Sequence, residues 1–271
     1  MLKSKVQHVT SSYMRNLVIL AFICLSSFTT SANEFQPIVK NDKKIAIVTG
    51  ANRGQGLGWT AHFLSKGYYV IATARKPENA TELNSLKKKY KKQLLIVKLD
   101  VTSEDELSNL SKLLKKKKIT IDVAISNAGV TVQEEFGEWT AKTFEINFRV
   151  NTMGAALFAQ AIAPSLKEGA KVIQISSGAG SITYQKKSNG LDFYCMSKAG
   201  LNMLSKKLAA RLADRKIIVV SMTPGGVKTD MNPTAKTSVV DAVNTMAQTV
   251  ENLTFANSGT FINKTGKKMA W

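Results

Sequence analysis

From Lys44 onward, short runs of continuous apolar residues alternate with segments in which apolar residues recur every three to four positions. The runs are KIAIVTG (44–50), YYVIATAR (68–75), LLIVKLDV (94–101), IDVAISNAG (121–129), AKVIQISS (170–177), KIIVVSMTPGG (216–226) and GTFIN (259–263). Their length and β-branched content predict strands. Helical spacing between them predicts helices over 56–67, about 81–90, 103–116, 143–166, 192–215 and 239–253. Ser103 and Glu106 stand at the two positions of a capping box. Strands apolar on both faces, each separated from the next by a helix, predict a parallel sheet covered on both sides. The expected class is α/β: one doubly wound domain over 43–271 with a seven-stranded parallel sheet.

Residues 1–33 follow another pattern. Lys3, Lys5 and Arg15 precede the apolar stretch LVILAFICL (17–25), and Thr30 and Ala32 stand as the small residues of a cleavage site. This is the order of a secretory leader, cleaved or kept as an anchor. The stretch is shorter than the ~18 residues a membrane span needs. Either Met1 or Met14 can be the start. The leader points to an exported or membrane-anchored body, with a cytoplasmic body as the alternative. Any membrane contact is expected through this leader alone.

Composition removes several classes. The chain has 271 residues, 44% hydrophobic and 21% charged, which is globular and not disordered. Two cysteines, Cys24 and Cys195, exclude a disulfide scaffold, and His8 and His62 are too few for a histidine metal cluster, so no metal is expected. Lys and Arg exceed Asp and Glu by 38 to 19, a net charge of +19, which favours anionic ligands. The excess gathers in LKKKYKK (86–92) and LLKKKK (113–118), both at the ends of predicted helices. There lysines complement the helix dipole, and without a recognition motif no nucleic-acid partner is expected.

TGANRGQG (49–56) joins the first strand to the first helix. Gly50 permits a tight turn, Gly54 lets backbone approach a pyrophosphate, and Gly56 allows the helix to lie against the strand. A helix N-terminus then faces the phosphates. The second strand ends Thr73-Ala74-Arg75, without the carboxylate that would bind the adenosine ribose of NAD. Arg75 and Arg53 suit a 2′-phosphate instead, so NADP(H) is expected over NAD.

Tyr194 and Lys198, four apart, begin the helix that follows the strand ending in Ser176 and Ser177. Residues four apart share a helix face, and ligands of such sheets bind beyond the carboxyl ends of the strands. A phenol with a pKa near 10 needs a neighbouring cation to work near neutrality. Lys198 is expected to supply that charge.

In this order the motifs resemble the classical short-chain dehydrogenases/reductases, over about 43–271. They are TGANRGQG (49–56), LDVT (99–102), SNAG (126–129), NTMG (151–154), SS (176–177), YCMSK (194–198) and PGGVKTDM (224–231). The resemblance implies a Rossmann-type fold and a catalytic tetrad of Asn151, Ser177, Tyr194 and Lys198, with Ser176 an alternative to Ser177. Asn151 would hold a helix bend and a water linking Lys198 to solvent. Cofactor contacts would come from Gly50, Asn52, Arg53, Gly54, Gly56, Arg75, Asp100, Val101, Asn127, Ala128, Gly129, Tyr194 and Lys198. Pro224, Gly225, Val227 and Thr229 would line the nicotinamide. The implied activity is NADP(H)-dependent interconversion of a small-molecule carbonyl and an alcohol. Insertions similar to SITYQKKSNGLD (181–192) occur in members resembling the insect carbonyl reductases and the bacterial cell-contact signalling factor, and the second resemblance suggests a nucleotide-bound signalling or scaffold protein. Gln55 and Ser126 depart from the family pattern. The helices at 151–166 and 193–210 resemble those that pair members into homodimers or homotetramers.

Overall fold

A computed structural model describes residues 43–185 and 190–271. The leader at 1–33 and positions 186–189 of the insertion lie outside the described residues. Seven strands form one parallel sheet in the order β3-β2-β1-β4-β5-β6-β7. They are β1 (Ile45–Val48), β2 (Tyr69–Ala74), β3 (Leu94–Lys98), β4 (Ile121–Ser126), β5 (Leu166–Ile175), β6 (Ile218–Thr223) and β7 (Thr260–Asn263). The helices are α1 (Gly54–Ser65), α2 (Thr81–Lys89), α3 (Glu104–Lys116), α4 (Ala141–Phe148), α5 (Ala155–Ile162), α6 (Asp192–Arg211) and α7 (Val239–Asn252). This is the doubly wound α/β fold expected from the apolar runs.

Successive residues of a strand face opposite sides of the sheet, and β1 distributes its side chains accordingly. Ala46 and Val48 join Trp59 and Phe63 of α1 and Met246 and Val250 of α7 in one core. Ile45 and Ile47 join Leu107, Leu110 and Leu114 of α3 and Phe158 and Ile162 of α5 in the other. Each such leucine or isoleucine, fully withdrawn from water, contributes about 2 kcal/mol. That two-sided burial is why the strands read as continuous apolar runs.

The order β3-β2-β1-β4 reverses direction between β1 and β4. A crevice opens beyond the carboxyl ends of strands at such a switch point. The end of β1 is tied to the end of β4: Thr49 N–H donates to Ile125 O at 3.0 Å. The Thr49 hydroxyl accepts from the N–H groups of Asn127 and Ala128 at 2.9 and 3.0 Å.

Three local expectations are corrected. The helix expected over 143–166 is broken by a π-helical turn, Arg149–Gly154, and ends in a 3₁₀ turn at Ala163–Ser165. Pro164, which has no N–H to continue the helix, stands in that last turn. β5 therefore begins at Leu166, four residues before the expected start at Ala170. Ser103 caps α3 by accepting from Glu106 N–H at 3.3 Å, but the Glu106 carboxylate does not close a capping box. It accepts from Asp100 N–H at 2.5 Å and pairs with Lys98 at 3.0 Å. The Asp100 bond, ahead of Lys98, holds the Glu106 carboxyl below its ordinary value.

The lysine runs fall where expected, with Lys87, Lys88 and Lys89 in the last turn of α2 and Lys115 and Lys116 in that of α3. Among the described residues, no helix is long and apolar enough to cross a membrane, and no cluster of metal-ligating side chains occurs.

Candidate active site

The crevice is a cleft of about 1280 Å³ running from the β2–α2 connection to the N-terminus of α6. It is lined by Gly50, Asn52, Arg53, Gly54, Arg75, Asp100, Val101, Asn127, Ala128, Gly129, Ser177, Tyr194, Lys198, Pro224, Gly225, Val227 and Thr229. Gly56 and Asn151 are the expected site residues outside that lining, and both stand directly behind it. A Cβ on Gly56 would lie 2.2 Å from Gly50 O and 2.6 Å from Asn127 Nδ2, so the turn closes only around glycine. A Cβ on Gly129 would meet Asn151 Oδ1 at 3.2 Å and Lys198 Nζ at 3.5 Å, which places both polar groups under the cleft floor.

One end of the cleft suits a dinucleotide phosphate. Gly50 and Gly54 take left-handed φ values of 64° and 54°. The N-terminus of α1 has no side-chain cap and no acidic residue in its first turn. Its N–H groups and dipole are thus left for an anion. Asn127 supports the loop by donating to Thr49 O at 2.9 Å and Gly50 O at 3.3 Å. Asp100 accepts from both Thr102 N–H and Thr102 Oγ1 within its own turn.

Arg75 and Arg53 stand at this end, but not alike. Arg53 is ion-paired with Asp230 at 2.6 Å, and both side chains are exposed. The end of β2 carries no carboxylate, as expected, but Glu78 of the turn that follows lines the same cleft, and Arg53 takes its partner from the segment after β6. No carboxylate is ion-paired with Arg75 among the described residues.

At the other end the two serines separate. Ser176, buried, donates its hydroxyl to Asn202 Oδ1 at 2.7 Å. Ser177 lines the cleft with Tyr194, and its hydroxyl accepts from Ala179 N–H at 3.1 Å as the cap of a 3₁₀ turn. Lys198 is buried below them. Its Nζ donates to Ile175 O at 2.9 Å and lies 5.8 Å from the centre of the Tyr194 ring. Burial brings the Lys198 amine down to about 8.

The phenol does not follow the expectation of a value drawn down by Lys198. Burial pushes Tyr194 above its ordinary value, and hydrogen bonds from Ser177 and Thr131 oppose that shift. Desolvation penalises the phenolate more than these two hydroxyls stabilise it.

Asn151 occupies the π-helical turn, and the bend expected there is that turn. Its side chain accepts from Val130 N–H at 2.8 Å and donates to Val130 O and Ser197 Oγ, each at 2.9 Å. Two residues near it escaped the sequence reading. Thr131 lines the cleft with Ser177 and Tyr194, and like Ser177 it favours the Tyr194 phenolate. Asn147 binds Val132 in both directions, accepting from its N–H at 3.3 Å and donating to its carbonyl at 2.9 Å. Their available signals were a threonine directly after SNAGV and an asparagine four residues before Asn151, one helical turn back.

Several known proteins are similar to this chain. A family model described as short chain dehydrogenase matches residues 44–239. An uncharacterized oxidoreductase of Schizosaccharomyces pombe is 33% identical over 250 residues, covering 82% of this chain and 96% of its own. The short chain dehydrogenase gsfK of Penicillium aethiopicum is 32% identical over 248 residues, covering 83% and 98%. Among solved structures, the NADPH-bound carbonyl reductase from chicken fatty liver superposes with a TM-score of 0.79 at 35% identity, covering 84% of this chain and 99% of that one. The carbonyl reductase Sniffer of D. melanogaster also gives 0.79, at 29% identity and the same coverage. By the family match over residues 44–239 and the identity to the Schizosaccharomyces and Penicillium relatives along most of its length, the chain belongs to the short-chain dehydrogenase family.

Proposed function

We propose that the protein is an NADP(H)-dependent oxidoreductase that interconverts a carbonyl and an alcohol, with Tyr194 as its acid and base. The observation that carries this reading is the gathering of Ser177, Tyr194 and buried Lys198 on one cleft, with Lys198 Nζ 5.8 Å from the centre of the Tyr194 ring. The similar chicken enzyme is a carbonyl reductase bound to NADPH, which supports the cofactor and the reaction class. The nicotinamide, when bound, supplies or accepts the hydride.

The chain's own residues do the rest. Ser177 donates to the substrate oxygen and holds it beside the Tyr194 hydroxyl. Tyr194 gives its proton to that oxygen during reduction and takes it back during oxidation. Lys198 holds the nicotinamide ribose, and its positive charge favours the phenolate against the burial that disfavours it. Asn151 braces the turn behind Lys198 and completes the proton path toward solvent. The uncapped start of α1 and the glycine turn receive the pyrophosphate, and Arg75, with Arg53, receives the 2′-phosphate. The test is a panel of ketones and aldehydes with NADPH; turnover that vanishes in Tyr194→Phe supports the reading, and unchanged turnover removes it.

The same reading extends to assembly. Phe144 of α4, Met153 of the π-helical turn, and Met196 and Met203 of α6 are large apolar side chains left exposed. We assign these side chains to a homodimer or homotetramer contact. Light scattering gives a mass of two or four chains under this assignment, and one chain under its failure.

A further inference from the structure

Thr131 is held by its neighbours on both sides. Asn151 grips Val130 through a two-way pair of hydrogen bonds at 2.8 and 2.9 Å. Asn147 grips Val132 the same way, at 3.3 and 2.9 Å. The two asparagines are four residues apart, one in the last turn of α4 and one in the π-helical turn, and both are almost completely buried. Asn147 is itself fixed by donating to Thr143 O at 3.0 Å. Asn151 is fixed through Ser197 Oγ, which donates to Tyr194 O at 2.7 Å. The backbone on either side of Thr131 is thus bolted to one helix and, through Ser197, to Tyr194, which lines the same cleft. Its side chain lines the cleft.

Such clamping removes backbone freedom before any reaction begins, so the hydroxyl is placed without reorganisation at the moment charge develops. We propose that Thr131 is a third hydroxyl of the reaction centre, set by the Asn147 and Asn151 clamps to donate a hydrogen bond to the Tyr194 oxygen. This rests on the reading of Tyr194 as acid and base. No proton leaves Thr131. The proton moves between Tyr194 and the substrate oxygen, and Thr131 steadies the phenolate that remains. The ionisable neighbours of Tyr194 among the described residues are Lys198 and Cys195, both on α6; the end of β5 and segment 130–132, packed against it, present the hydroxyls of Ser177 and Thr131.

The test is Thr131→Val, nearly the same shape without the hydroxyl, beside Thr131→Ser and Tyr194→Phe. Losing one donor to a buried phenolate raises its pKa, by about 0.5–1 unit for a hydrogen bond of ordinary net worth. In alcohol oxidation, where the phenolate is the base, the rise of kcat/KM moves to higher pH by that amount. Below its midpoint the rate falls by about 3- to 10-fold. Thr131→Ser returns the profile to the wild-type position. Ultraviolet difference titration against the matching Tyr194→Phe proteins, without cofactor, shows the same displacement of the Tyr194 phenolate. Unmoved profile and titration in Thr131→Val, with Tyr194→Phe inactive, overturn the role of Thr131 alone. Full activity in Tyr194→Phe overturns both readings.

Discussion

Arg53 and Asp230, 177 residues apart in the chain, meet at 2.6 Å across the mouth of the cleft. Both side chains are largely exposed, so the pair contributes little to stability, about 0–1 kcal/mol. Its consequence is for recognition: part of the Arg53 charge is already answered by protein, whereas Arg75 is not ion-paired among the described residues.

The two arginines are therefore expected to differ. Wild type prefers NADPH to NADH, judged by the ratio of kcat/KM. Arg75→Ala lowers that ratio by about 10- to 100-fold, the worth of a charge-assisted hydrogen bond. Arg53→Ala lowers it less, and Asp230→Asn raises it by releasing Arg53. A wild-type preference for NADH, or no change in Arg75→Ala, contradicts this assignment.

Two glycines of the phosphate turn are expected to respond differently to alanine. In Gly56→Ala the new Cβ meets backbone at 2.2 Å and cannot be accommodated without moving the turn. Loss of cofactor binding and destabilisation by more than about 3 kcal/mol are expected, beyond ordinary overpacking. In Gly54→Ala the nearest atom is Thr229 Cγ2 at 3.5 Å, an ordinary contact. Its cost comes from the left-handed φ of 54° alone, about 1–2 kcal/mol. Chemical unfolding and nucleotide titration of both variants check the order; equal effects contradict it.

Lys198 ties stability to pH. Its folded value of about 8 lies below its ordinary 10.5, because burial penalises the ammonium. Below pH 8 both folded and unfolded chains carry that proton and the penalty is fully felt. Between about 8 and 10.5 the folded chain has released it and the unfolded chain has not, so stability rises with pH. Relative to Lys198→Met, wild type is expected to gain about 2 kcal/mol from pH 7 to pH 9.5 in urea unfolding. A difference that stays flat over that window contradicts the burial of the charge.

The fold was legible because its strands are buried on both faces and its helices on one. Ala46 and Ile47 are both fully buried, on opposite sides of the sheet, so a continuous apolar run carries the strand signal unaided. The glycine turn and Tyr194 were legible because each sits at a boundary between elements, and Lys198 because it stands one helical turn after Tyr194. What was hidden depends on distance or on small shifts of backbone. The π-helical turn at 149–154 keeps the apolar content of a helix and changes only its pitch. Glu106 has the spacing of a capping partner, yet its carboxylate bonds Asp100 N–H instead. The Arg53–Asp230 pair joins segments that no local pattern connects. The height of the Tyr194 phenol depends on burial, which two residues at i and i+4 do not reveal.

The central claim is that Tyr194 exchanges the proton at a substrate oxygen held beside it. The most direct measurement is steady-state turnover of a ketone and aldehyde panel with NADPH, for wild type and Tyr194→Phe, with nucleotide affinity measured on both. The account predicts that the variant still binds NADPH and loses at least about 100-fold in kcat, the low end of what a positioned acid supplies. Wild-type turnover in Tyr194→Phe, or tight NADPH binding by wild type with no turnover of any carbonyl, contradicts it.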